Sequence, residues 1–341
     1  MTTPTARLED AWPQLTELSD AYTCYSSAVA AWAAYSHPSW ESLVNPGLWL
    51  VIKPAEDMLF GFGHFRPGLR ASLGLARASS DDADEAVAAI LAELERAGRV
   101  IVAGDGYRLP WHVAFERRHV PHWFVLSADD SEPVVADPFA CRNDLGWQQP
   151  ARVPIATGDL PQLVAGLPVG DPVFALRESF ALGDDEGPLQ VHRFHWLEHS
   201  ATTFGARVLN GAVGVDGVRL LADHFREHGQ NPDAYRQADD IWSIARHRAF
   251  LARYAHQIAE RDEDNALRRW VDEHANSLAR RWSHLAPLLM QATLALGAGR
   301  SATSSVPDAL DELAEREAAA AAGFPVDPAA GRVSPAELER V

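Results

Sequence analysis

Two short runs, His122-Trp123-Phe124-Val125-Leu126 and Val134-Val135-Ala136, stand on either side of a polar stretch from Ser127 to Glu132. Apolar, β-branched and aromatic residues in runs this short form strands, and the polar residues between them form a connection, so the pair predicts a β-hairpin. Antiparallel pairing brings the start of one strand beside the end of the other. The start is His122 and the end is Asp137, so an imidazole and a carboxylate come within hydrogen-bonding reach.

The rest of the first half mixes helices and strands. The run from Cys24 to Trp32 is small and apolar, bounded by Asp20 and by His37-Pro38, and predicts a short buried helix with Cys24 at its N-terminus. Leu50 to Ile52 reads as a strand and the glycine-rich stretch Gly61 to Gly74 as a loop. A helix is predicted between a cap at Asp81, Asp82 or Asp84 and a stop at Gly98, with Val87, Ile90, Leu91 and Leu94 on one face. Arg99 to Ala103 follows as a buried strand, then Gly104-Asp105-Gly106 as a turn. Further strands are expected at Val153 to Ala156, Val173 to Leu176 and Leu189 to Trp196. Beyond about Ala201 the spacing turns helical, in Val208 to Phe225, Trp242 to Ala259 and Ala266 to Leu296. The expected class is α+β: a mixed domain over 1–200, a mainly helical domain over 201–300, and an acidic Ala/Pro-rich tail over 301–341, loose except for a helix at 308–322.

A formal charge of −17 argues against nucleic acid and against anionic membranes, since both demand a dense supply of Lys and Arg. Two cysteines, Cys24 and Cys141, make no disulfide framework, and Met1 to Asp20 holds no apolar run behind basic residues. A cytoplasmic protein is expected. The charge is uneven, however: Ile241 to Arg300 holds nine Arg against six Asp plus Glu. Arg246, Arg248, Arg268 and Arg269 either form a docking face for an acidic partner or belong to a solvated helix face with local acidic partners.

A cysteine nucleophile works as thiolate, favoured by a helix N-terminus and an adjacent His, and that His needs a carboxylate or amide to hold its tautomer. Cys24, His122 and Asp137 supply those three parts in that order. The competing reading is a Cys buried as a small hydrophobe with ordinary polar residues at two strand ends. Asp105 is either a turn residue or a cleft residue. His119 and His112 either position substrate or are solvated loop histidines. Tyr22 and Tyr25, with Trp32, Trp40 and Trp49, either belong to the core or line a pocket. His224-Phe225-Arg226-Glu227-His228 matches an H-x-x-E-H zinc pattern, yet no third ligand follows in a recognisable context, so no metal is expected.

The chain resembles the family of butirosin biosynthesis protein H. The resembling residues are Tyr22 to Ala28, Gly104 to Trp111, Val120 to Leu126, Val134 to Phe139, Val213 to Asp223, and Arg248-Ala249-Phe250-Leu251 through Trp282. They extend over nearly the whole chain up to about Arg300. The resemblance implies a papain-like cysteine-peptidase-type N-terminal domain followed by a helical one. It implies an acyltransferase of antibiotic biosynthesis that moves an aminoacyl group from an acyl carrier protein to an amine acceptor. On that reading Cys24 is the nucleophile, His122 the base and Asp137 its orienter, with Tyr22, Tyr25, Asp105 and His119 near substrate. The implied partners are an acidic carrier protein, a small-molecule acceptor and a second biosynthetic protein; the phosphopantetheine arm comes with the carrier, and no cofactor is bound directly. Leu18 stands six residues before Cys24, where papain-like enzymes carry an oxyanion-hole Gln. Two other outcomes stay open: cyclisation or displacement on a carrier-bound substrate without covalent Cys catalysis, and a non-catalytic carrier-binding module.

Overall fold

The computed structural model describes residues 8–35, 37, 40–45, 47–63, 65, 69–128, 132–164, 166, 171–180, 193–200, 210–302 and 305–325. In chain order the elements are α1 (Leu8–Glu17), α2 (Cys24–Ala34), α3 (Trp40–Val44), β1 (Val51–Pro54), β2 (Phe60–Gly63), α4 (Leu69–Ser72), β3 (Leu75–Ser80), α5 (Ala83–Ala97), β4 (Arg99–Asp105), β5 (Pro121–Ser127), β6 (Val134–Asp137), β7 (Cys141–Asn143), β8 (Gly146–Gln148), β9 (Ala151–Pro154), α6 (Leu160–Leu163), α7 (Pro172–Phe180), β10 (Phe194–His199), β11 (Ala212–Val213), α8 (Val215–His228), α9 (Ala238–Arg261), α10 (Asn265–Trp270), α11 (Asn276–Gly297) and α12 (Ser305–Gly323). The class is mixed α+β. No helix among the described residues is long and apolar enough to cross a membrane.

The chain forms two compact units. The first takes the described residues within Met1–Val44, Gly68–Leu182 and Glu186–Ala206. Its frame is a six-stranded sheet in the order β3-β10-β4-β5-β6-β9, antiparallel throughout. Alternation along the strands sends Val100, Val102, Phe124, Leu126, Val135 and Trp196 to one face, where Ile90 and Leu94 of α5 and Leu160 and Leu163 of α6 cover them. Each such side chain taken out of water contributes about 1.5–3 kcal/mol. On β5 the alternate residue Trp123 meets Tyr25 of α2 edge-on at 5.5 Å. All of α2 is buried except Cys24, which is half-buried, because the helix carries no charged residue on any face.

The caps of α5 are those the sequence predicts. The Asp82 carboxylate accepts from the Glu85 N–H at 2.9 Å, and Gly98 ends the helix at φ 73°, a left-handed conformation that costs a residue without Cβ nothing.

The second unit takes the described residues within Asn45–Pro67 and Arg207–Val341. Its three-stranded antiparallel sheet, β11-β1-β2, lies with a helical core built from Phe225 of α8, Ile241, Ile244 and Leu251 of α9, Trp270 of α10, and Leu278, Trp282 and Leu285 of α11. A five-residue π-turn, Val271–Ala275, joins α10 to α11, so the apolar spacing of 266–296 runs through two helices.

Three expectations differ from this arrangement, and one about the tail is met. The chain does not divide once at residue 200: β1 and β2 join the helical unit because β1 pairs with β11, Val51 opposite Val213. The helix expected at 308–322 is present as α12, and it buries Val306, Leu310 and Leu313 in the helical core; 326–341 lie outside the described residues. Val173 to Leu176 is helical, within α7. The stretch read as a loop from Gly61 contains part of β2, whose glycines are held by pairing with β1. Of the strand expected at Leu189 to Trp196, and of the helix expected from Val208, residues 189–192 and 208–209 lie outside the described residues.

Candidate active site

The β5–β6 ladder pairs Val125 with Ala136 and Leu126 with Val135. Extended by one residue in each direction, this register puts Asp137 past the last pair and on the face of Phe124 and His122. The two polar side chains meet there: His122 Nε2 lies 2.8 Å from Asp137 Oδ2, and both residues are sealed from solvent. On the other side of β5, Gly104 of β4 pairs with His122. A Cβ at Gly104 would stand 2.8 Å from the Leu163 carbonyl and 3.0 Å from Phe124, so only glycine fits beside this strand end.

Asp137 is fully engaged. Its Oδ2 also accepts from Trp111 Nε1 at 3.0 Å, and its Oδ1 accepts from the Phe139 N–H at 3.2 Å. A buried carboxylate is tolerated only with such donors. Cys24 stands near enough to His122 to act on its protonation. With Nε2 turned to Asp137, Nδ1 is the ring nitrogen left over. Burial by itself lowers the pKa of His122, but the charge and hydrogen bond of Asp137, with the influence of Cys24, overcome it and raise the imidazole to about 10.

Cys24 opens α2 behind a reciprocal cap. Thr23 Oγ1 accepts from the Ser26 N–H at 3.1 Å, and the Thr23 N–H donates to Ser26 Oγ at 2.8 Å. This cap fixes the helix start, and the positive end of the helix dipole falls beside Cys24. The Cys24 N–H, being the first of the helix, takes no intrahelical partner. Leu18 is buried, so the position expected to hold an oxyanion donor is a core position here.

The structure therefore joins His122 to Asp137, with Cys24 near enough to act on the His122 ring. It engages other candidates differently. Asp105 is buried, and its carboxylate is consumed by the turn: Oδ1 accepts from the N–H groups of Tyr107 (3.1 Å) and Val120 (3.2 Å), and Oδ2 meets His119 Nδ1 at 2.5 Å. His119 stacks on Tyr107 and is 54% exposed. Tyr22 and Tyr25 are core residues with almost no surface to offer a substrate; so are Trp32 and Trp40, while Trp49, also buried, belongs to the second unit.

The Arg docking face is largely withdrawn. Arg248 is buried, bonded through Nε to Glu317 at 2.7 Å and donating to the carbonyls of Gly47 and Leu48. Arg246 is buried with its guanidinium 4.4 Å from the Trp242 ring. Arg268 is bound to Glu260 and Asn265, which leaves Arg269 exposed. Among the described residues no group of three His, Cys, Asp or Glu is placed to hold a metal, and His224 and His228 stand as a pair 5.2 Å apart.

Two neighbours of the site have surroundings that the sequence did not reveal. Trp111 holds Asp137, as above. His112 is buried, not solvated, with its ring 4.3 Å from that of His122. Its Nδ1 accepts from the Ala114 N–H at 3.1 Å, which leaves its proton on Nε2. Burial, followed by repulsion from His122, lowers its pKa to about 2. The signal available was the Pro110-Trp111-His112 run directly after the turn, two large donors in a short connection.

No protein-family model and no curated protein matches the sequence.

Proposed function

We propose that this protein is a cysteine-dependent acyl or aminoacyl transferase with Cys24 as nucleophile. One observation supports the reading above all: a single buried imidazole, His122, is bonded to Asp137 through Nε2 at 2.8 Å and is raised in pKa by Cys24 at the start of α2. A nucleophile, a proton carrier and an orienting carboxylate in series are what covalent acyl transfer requires. The α+β unit carrying them is compatible with a papain-like cysteine-peptidase architecture. The carrier-bound substrate rests on the resemblance to the butirosin biosynthesis protein H family.

The raised imidazole pKa makes His122 the proton donor of the resting site. The Cys24 thiolate attacks the carbonyl of an acyl thioester on a phosphopantetheine arm. The tetrahedral intermediate expels the pantetheine sulfur, which takes the proton from His122. The amine acceptor then attacks the Cys24 thioester and gives its proton to the now neutral His122. The carbon–sulfur bond breaks, the amide leaves, and thiolate and imidazolium are restored. With Leu18 in place of a Gln, the N–H of Cys24 is the donor nearest in sequence to the developing oxyanion.

Separate Cys24→Ala, His122→Gln and Asp137→Asn variants, assayed with an aminoacyl-loaded carrier protein and an amine, test this reading. All three are expected to lose turnover. A fully active Cys24→Ala protein would exclude covalent catalysis and leave general-base cyclisation on the carrier-bound substrate.

A further inference from the structure

Three donors converge on Asp137, and only one of them comes from His122. Trp111 Nε1 binds the same oxygen, Oδ2, that holds His122, while the Phe139 N–H takes Oδ1. The His122 bond is the one to be oriented, so a second donor on Oδ2, independent of His122, is what fixes the carboxylate plane about χ2. Phe139 lies two residues along the chain and is part of the local turn. Trp111 is 26 residues away and approaches from the segment that follows β4. Its ring is itself fixed, edge-on against Phe124 at 5.4 Å.

We infer that Trp111 is a positioning residue for the Cys24–His122–Asp137 site: it locks the carboxylate plane so that Asp137 Oδ2 presents one fixed acceptor direction to His122 Nε2. The His122 ring is thereby held in one orientation. His112 and Phe139 flank that ring, at 4.3 Å and 5.6 Å between centroids, and limit its tilt but do not bond it. The groups with charge or titration that act on His122 are Asp137, Cys24 and His112, so Trp111 acts through the first of these and adds no charge of its own. This inference rests on the reading of Cys24 as nucleophile, but its test does not depend on the natural substrate.

The test compares Trp111→Phe, which keeps an aromatic ring against Phe124 and removes the donor, with Trp111→Ala, which removes both. Two quantities are read at neutral pH on the full chain: the rate of Cys24 alkylation by iodoacetamide, and the NMR resonance of the His122 Nε2 proton. Positioning predicts that Trp111→Phe slows alkylation about tenfold, as loss of a hydrogen bond to a charged group would, and shifts or broadens the Nε2 proton, nearly matching Trp111→Ala. A Trp111→Phe protein with the wild-type rate and an unmoved resonance, beside an impaired Trp111→Ala, would make Trp111 a packing residue and overturn the inference. If wild-type Cys24 itself reacts no faster than free cysteine, the nucleophile reading fails, and the resonance still decides the role of Trp111.

Discussion

His122 and Asp137 are joined at 2.8 Å with almost no solvent at either, and the bond spans the open end of the β5–β6 pair where the ladder has stopped. Because no water competes there, the carboxylate dictates where the imidazole proton sits and which nitrogen is left over.

Replacing Asp137 with Asn keeps the volume and removes the charge. His122 then loses its main stabiliser in the protonated state and the partner that fixes its orientation. The expected fall in turnover is about a thousandfold, in line with removal of an orienting carboxylate from a triad. An unchanged far-UV circular dichroism spectrum would assign the loss to the site and not to unfolding.

The alkaline side of the pH–rate profile belongs to His122. Its folded pKa, about 10, lies above the value of 6.5 for a free imidazole. The stability linked to its proton is therefore complete below pH 6.5 and is lost as pH rises toward and through 10. Transfer from a thioester to an amine should likewise decline through that upper value, as the proton for the leaving sulfur disappears. Stopped-flow rates between pH 7 and 11 measure the limb, and a limb centred near 6.5 would contradict it.

His112 works in the opposite sense. Its folded pKa, about 2, lies below 6.5, so at acid pH the unfolded chain takes up a proton that the folded chain refuses. Stability linked to it is complete above pH 6.5 and falls as pH drops from 6.5 toward 2. Denaturation midpoints of a His112→Asn protein should fall less steeply over that range than those of the wild type; parallel curves would show that His112 is not the source.

Gly106 leaves room for His112. A Cβ there would sit 2.7 Å from His112 Nδ1 and 2.7 Å from Val120, closer than such contacts occur. Gly106→Ala is expected to displace the His112 ring and to cost about 1–3 kcal/mol, the range of overpacking in a filled interior. Urea denaturation gives the cost.

In the helical unit, Arg248→Ala should destabilise by about 3–5 kcal/mol, because Glu317 would remain buried without its cation. The paired change Arg248→Met with Glu317→Leu should cost much less, since neither charge is then left alone. Thermal unfolding of the three proteins separates these cases.

Much of the site was readable in the sequence because its residues mark local boundaries. Cys24 opens a run of small residues, His122 opens a strand, Asp137 closes the next, and a hairpin register follows from two short runs and one polar loop. Asp82 and Gly98 announced α5 for the same reason. What stayed hidden depends on distant partners. Arg248 reads as a surface cation until Glu317, 69 residues on, is folded against it. Nothing local assigns Trp111 a role or decides between the two readings of His112 until the Trp111 indole meets Asp137 and the His112 ring meets His122. Val173 to Leu176 failed differently: four apolar residues fit a strand period and a helix period equally well.

The most direct test of the central claim is intact-protein mass spectrometry after mixing the chain with an aminoacyl-pantetheine thioester in the absence of an amine. The prediction is one added acyl mass, mapped by peptide digestion to Cys24 and absent from Cys24→Ala. Transfer to an added amine at the wild-type rate by Cys24→Ala, or an acyl group mapped only to Cys141, would contradict it.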